Sequence, residues 1–295
     1  MKTFITPIAA AVFLAASGSV FAANNTAVQN QTGVGNFQSA TQVGAGVDDN
    51  LILQNQLGFF NVEVALQTAG EDLSTITQNQ VGAVNVAVST QAAGALNNAS
   101  ITQLGAANVG VTTQAVSLLS SADVTQVGFV NLGVVTQILS LLNSASITQV
   151  GAANFGNILQ TVAAFNDADI LQGGFGNFAN INQIFALGND ADIIQGGFFN
   201  VGNINQVGSI GSTALKVQVG ALNVGDITQV GIGHVASEFQ FGFANESHTT
   251  QLGFFHNSTT TQVGGFNFHD TTQIGFNETA VATQVGFGNT GFILQ

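Results

Sequence analysis

The chain has 295 residues, of which 45% are apolar and only 6% charged, and it contains no cysteine, tryptophan or tyrosine. Apart from Lys2, one cation, Lys216, stands against fifteen carboxylates, so nothing is available to neutralise phosphates, which argues against nucleic acid and anionic membrane surfaces as partners. The missing cysteines exclude disulfides and metal–thiolate sites, and the apolar content is too high for a disordered tail.

Residues 1–22 read as an export signal: Lys2, an apolar run from Ile8 to Leu14, then Val20-Phe21-Ala22 as a small-x-small cleavage pattern. No later segment reaches ~18 uninterrupted apolar residues, so no transmembrane helix is expected. Residues 23–30 are expected to be a short lead-in. From 31 to 295 the chain reads as one repeat domain of about 11 units, with no second domain.

Glutamine keeps time through that domain. It appears loosely at Gln31, Gln42, Gln56 and Gln67. It then recurs at Gln80, Gln91, Gln103, Gln114, Gln126, Gln137, Gln149, Gln160, Gln172, Gln183, Gln195, Gln206 and Gln218. Those steps alternate between 11 and 12 residues; from Gln218 through Gln229 and Gln284 to Gln295, the last residue, every step is 11. The 11-residue steps carry Gln-x-Gly-x-x-Asn. Their glycines are Gly82, Gly105, Gly128, Gly151, Gly174, Gly197, Gly220 and Gly286; their asparagines are Asn85, Asn108, Asn131, Asn154, Asn177, Asn200, Asn223 and Asn289. Gly and Asn tolerate the left-handed backbone of a tight reversal, and about five residues rich in Val, Ile and Thr lie between turns, as in a strand. The unit predicted is strand, turn, strand, turn. The 12-residue steps carry apolar turns instead, such as AVSLLS at 115–120 and ILSLLN at 138–143. One edge is thus expected to be polar with frequent Phe (Phe129, Phe175, Phe198), the other greasy.

A 23-residue unit with two strands is one coil of a solenoid, and equivalent residues stack ~4.8 Å apart. Two residues before the glutamines stand Ile101, Val124, Ile147, Ile170 and Ile193; four before stand Ala99, Ala122, Ala145, Ala168 and Ala191. These columns share the glutamine side, which is therefore the interior. The glutamines and the asparagines of the repeat, Asn85 to Asn289, are thus expected to point inward; buried amides are costly unless hydrogen-bonded, and stacked copies bond one another as ladders. The ladders fix register, because a slip of one residue turns every glutamine outward. Without capping units, such a solenoid is expected to stack end on end into a fibre.

The pattern resembles the curlin repeat, Ser-x5-Gln-x-Gly-x-Gly/x-Asn-x-Ala-x3-Gln. Gln80, Gly82, Asn85, Ala87 and Gln91 match its second half; Gln195, Gly197, Asn200 and Gln206 do so with Gly202 in the Ala place. The Ser place holds Ser120 or Ser212 in some units and Asn97, Asn143, Asn166 or Asn189 in others. The resemblance implies a subunit of curli-like functional amyloid: an extracellular cell-surface fibre of biofilm matrix and adhesion. It also implies export unfolded through an outer-membrane pore and nucleation by a companion subunit.

The expectation is an all-β, two-sheet β-solenoid whose partner is itself, with no enzymatic activity and no cofactor. The alternative is a monomeric solenoid binding ice or glycan through an outward threonine file (Thr90, Thr113, Thr136), which Leu159 and Asn182 interrupt. His234 and His256 are expected to stack in Asn places, as ladder replacements rather than metal ligands, weakening assembly below pH ~6.5. Asp167, Asp169, Asp190 and Asp192 form an outward like-charge stack, read as solubility rather than calcium binding. Lys216 and Glu238 fall on interior positions, which predicts a bulge or a local fault. Thr249, Thr260 and Thr271 make the interior polar, so the C-terminal third should be the least stable.

Overall fold

The computed structural model describes residues 24–44 and 46–295. The export-signal reading lies outside the described residues. Those described form two parallel sheets of twelve strands each, and successive strands alternate between the sheets. Each coil supplies one strand to each sheet, giving a β-solenoid of twelve coils. Coil 1 is Thr26–Val34 with Phe37–Val43; coil 12 is Thr279–Phe287 with Thr290–Leu294. Two expectations are corrected here. There are twelve coils rather than about 11, and the first strand begins at Thr26, inside the segment expected to lead in.

Like residues stack on like. Gln103 pairs in register with Gln126, Ile101 with Val124 and Ala99 with Ala122. The period-2 burial follows: in Ser144–Ala152 the residues Ala145, Ile147 and Gln149 are buried between half-exposed neighbours. The coil shortens along the molecule, from 25 residues between Gln31 and Gln56 to 23 from Gln80 and 22 after Gln229. The glutamines stay in register throughout, and on the second sheet the lost residue is taken up by a bulge between Gln206 and Ser209.

The turns differ from their expected chemistry. In the short turns the left-handed residue is not Asn but the one before it, as in Val84 (φ 59°), Ala107 (φ 55°) and Val130 (φ 58°). A β-branched residue there is strained, and the stack on both sides holds it. The glycine two residues earlier lies near φ +130° for a steric reason. A Cβ on Gly128 would stand 1.8 Å from the carbonyl oxygen of Gly151 in the next coil. The short-turn edge is not polar either, because its asparagines point inward and the corner is left to residues such as Phe60, Val130 and Phe199. The long-turn edge is apolar as expected, with Leu119, Leu139, Phe165 and Phe185 exposed.

Candidate functional site: the interior ladders

Each ladder glutamine splits its two amide hydrogens. Gln103 Nε2 donates one across the core to the carbonyl of Val86 in the preceding coil (3.0 Å) and one along the axis to Gln126 Oε1 (2.8 Å). Gln126, Gln149 and Gln172 repeat this at 2.8–2.9 Å. On the second sheet Gln114, Gln137, Gln160 and Gln183 do the same. These amides are fully buried and fully used, so the desolvation cost that burial carries is met by bonds that exist only when coils stack. The ladders have one polarity throughout. They run from Gln31 and Gln42 in coil 1, which donate to Gln56 and Gln67, to Gln284 and Gln295 in coil 12, which accept from Gln262 and Gln273.

The asparagines form a third ladder. Asn85 Oδ1 accepts both the backbone N–H and the side-chain N–H of Asn108 (3.1 Å each), and Asn108 Nδ2 also donates to the carbonyl of Gly128 (2.9 Å). Asn thus caps the turn of the neighbouring coil, and it is conserved in role from Asn61 to Asn289 by the stack itself.

Other ladders were not anticipated. At the long turns Asn143 Oδ1 accepts the N–H of Asn166, whose Oδ1 accepts that of Asn189. In the first three coils Gln29 donates to Gln54 and Gln54 to Gln78 within the core, while Asn30, Asn55 and Asn79 mirror them outside. The recurring Gln-Asn-Gln at 29–31, 54–56 and 78–80 is the signal for both.

His234 and His256 stack as expected, with ring centroids 5.1 Å apart and planes within 6°. His234 Nδ1 accepts the N–H of His256 (3.4 Å), so Nε2 carries the proton and donates to the Val230 carbonyl (3.0 Å). This is the Asn arrangement in another side chain. Burial holds the His234 ring below the usual imidazole range.

Lys216 and Glu238 make neither a bulge nor a fault. They stand in register on neighbouring coils, both with no exposure, and the ammonium pairs with the carboxylate inside the core. The charges replace one rung of the isoleucine column. Gly225 makes room: a Cβ there would lie 2.5 Å from Lys216 Nζ. Beyond this pair in the C-terminal coils, Ser258 and Thr260 are buried with hydroxyls that find no partner among the described residues.

Two buried carboxylates went unforeseen. Glu71 accepts from Ser74, Asn97 and the Gly94 N–H and organises a long turn. Burial pushes Glu63 up to about 8, against the hydrogen bond from Gln38. On the outer face Asp192 is pushed up to about 6, by burial first and then by Asp190, Asp169 and Asp167. The Thr90, Thr113 and Thr136 file is present, in register, and ends against Leu159. Among the described residues no helix is long and apolar enough to cross a membrane.

A family model described as the curlin associated repeat matches residues 166–197. No curated protein matches the chain. That match covers coil 7 and most of the first strand of coil 8, and it supports a curlin-repeat relationship. With the β-solenoid fold, it is compatible with a curli-like structural subunit.

Proposed function

We propose that this chain is a secreted structural subunit that polymerises head to tail into extracellular curli-like amyloid fibres, serving biofilm matrix, adhesion and surface colonisation. The role is mechanical rather than catalytic. What supports it is the single polarity of the ladders. At coil 12, Gln284 and Gln295 each keep an axial N–H to give; at coil 1, Gln31 and Gln42 each keep an oxygen to receive. Coil 12 of one molecule laid on coil 1 of the next continues both glutamine ladders, and the asparagine ladder, which runs the other way, continues as Asn36 of the next molecule donates to Asn289 Oδ1. A contact between two different ends does not close, so it propagates.

Export unfolded through an outer-membrane pore and start-up on a companion subunit belong to this reading through the resemblance. The ice or glycan alternative gains nothing from a threonine file only three residues long.

The junction is directly testable. Gln284→Glu with Gln295→Glu sets acceptors against acceptors at one end only. Seeded growth followed by light scattering should stop, with the chain left in solution. Growth at the unmodified rate would refute head-to-tail stacking.

A further inference from the structure

The outer face of the first sheet carries apolar columns that the fold does not use. Three residues after each ladder glutamine, coils 2 to 9 read Phe, Ala, Ala, Phe, Ala, Phe, Phe, Ala, from Phe59 to Ala221, stacked in register. The phenylalanines are 43–61% exposed. Between Phe59 and Phe129 they leave an apolar groove of about 610 Å³, floored by alanines and glycines. Turned end for end, the series becomes its own complement, with every Phe meeting an Ala.

We propose that this face binds a second copy of the chain, side by side with its solenoid axis reversed, about a two-fold axis along the strand direction between coils 5 and 6. Coil 2 then lies opposite coil 9, 3 opposite 8, 4 opposite 7, and 5 opposite 6. Phe59 meets Ala221, Phe198 meets Ala83, Phe175 meets Ala106 and Phe129 meets Ala152. Such an isologous contact places the same patch on both partners.

In the neighbouring column two of the four pairs fit the same operator, while Leu57 faces Val219 and Val127 faces Val150. One residue after the glutamine, coils 7 and 8 carry Gly173 and Gly196 where the other coils from 2 to 9 carry Val or Leu. Neither glycine has a left-handed backbone, and a Cβ on either would meet nothing nearer than 4.0 Å. The fold does not require them, and glycine weakens a strand. Across the two-fold, however, they face Leu104 and Val81, both exposed, and leave the room those side chains need.

Three residues before the glutamine, Asp123, Asp169 and Asp192 face Ser146, Ser100 and Thr77. Five before, Asp167 and Asp190 face Asn98 and Thr75. No carboxylate meets another, and each meets a donor. From Gln+1 to the short turn, coils 2 to 9 hold only Gly, Ala, Val, Leu and Phe, so no charge is stripped of water there.

Eight coils at ~4.8 Å by nine residues at ~3.3 Å give a face of roughly 1,100 Å² per copy. That exceeds the ~800 Å² per partner of a standard stable interface. The corner residues pair large with large under this operator (Phe60 with Leu222, Val84 with Phe199), so they lie outside the contact, beyond the sheet edge.

This inference does not depend on end-to-end stacking, which never brings coil 3 near coil 8. The chain has no cysteine, so single introduced thiols report the pairing. Val81→Cys and Gly196→Cys chains, mixed in equal amounts and treated with a short bis-maleimide, should give a covalent pair of doubled mass. Either chain alone should stay single, since each thiol lies five coils from its own symmetry mate. Adding Gly173→Val to both chains should abolish the link while the far-ultraviolet circular dichroism stays unchanged. Equal linkage by Val81→Cys alone, no linkage in the mixture, or linkage that survives Gly173→Val would each overturn the proposal.

Discussion

At the residue scale, the structure turns on groups that act only through the next copy of themselves. The turn glycine is the sharpest case. Gly128→Ala places a methyl on the Gly151 carbonyl at φ +128°, and the left-handed strain alone costs ~1–3 kcal/mol, with the collision added. Gly173→Ala, one residue before the equivalent Gly174, meets nothing nearer than 4.0 Å. Chemical denaturation should show the first variant at least ~2 kcal/mol less stable and the second within ~0.5 kcal/mol of the parent. Equal effects would contradict the steric argument.

Ionisable residues give opposite signs along the molecule. His234 sits below its ordinary value of 6.5 in the fold, so its coil has full stability above that value and loses it as pH falls toward the folded value. Asp192 sits high, at about 6, so at neutral pH its charge is a burden that acid relieves as pH falls through 6. Hydrogen exchange at pH 7.5 and pH 5 should therefore show coils 7 and 8 gaining protection; in coils 9 and 10 His248, held up at about 9 by Asp226 and Glu246, gains on the same shift, so the His234 loss is read as the difference between the parent and His234→Asn. Glu63 is raised from 4.5 to about 8, so coil 2 has full stability below 4.5 and loses it as pH rises from there to about 8. Glu63→Gln should remove that loss. Uniform change along the molecule would mean these groups do not act where they stand.

At the scale of the element, the buried Lys216–Glu238 rung is the only break in the isoleucine column that carries charge. Removing one partner strands the other, at a cost of ~3–5 kcal/mol, whereas replacing both by apolar residues of similar size is often neutral or stabilising. Lys216→Ile should melt well below the parent, and Lys216→Ile with Glu238→Ile at or above it. A double variant as unstable as the single one would mean that the site does not accept the isoleucine stack.

The period of the glutamines and the alanine and isoleucine columns made the coil, its interior side and the ladders legible in the sequence. The rest was hidden for identifiable reasons. The inward asparagine ladder was legible with the glutamines, but Asn85 and its equivalents also read as the left-handed turn residue, and the stack puts that strain on Val84 instead. Lys216 and Glu238 looked like two faults when taken singly; their spacing of one coil, 22 residues, was the sign that they cancel. Glu63 and Glu71 carry no periodic signal, since each occurs in one coil alone.

At the scale of the whole molecule, one axis organises everything. Each coil repeats the bonding of the last, the ladders never reverse, and the two end coils present what the other lacks. Under the proposed function the molecule is a short length of a filament, in which the coils of successive molecules stack along one axis as the coils within a molecule do. Fibre diffraction on residues 23–295, diluted from denaturant and allowed to assemble, tests this most directly. A meridional reflection at ~4.8 Å with an equatorial one at ~10 Å is expected. A clear solution of soluble chain with nothing to align, or a 4.8 Å reflection lying across the fibre axis, would contradict it.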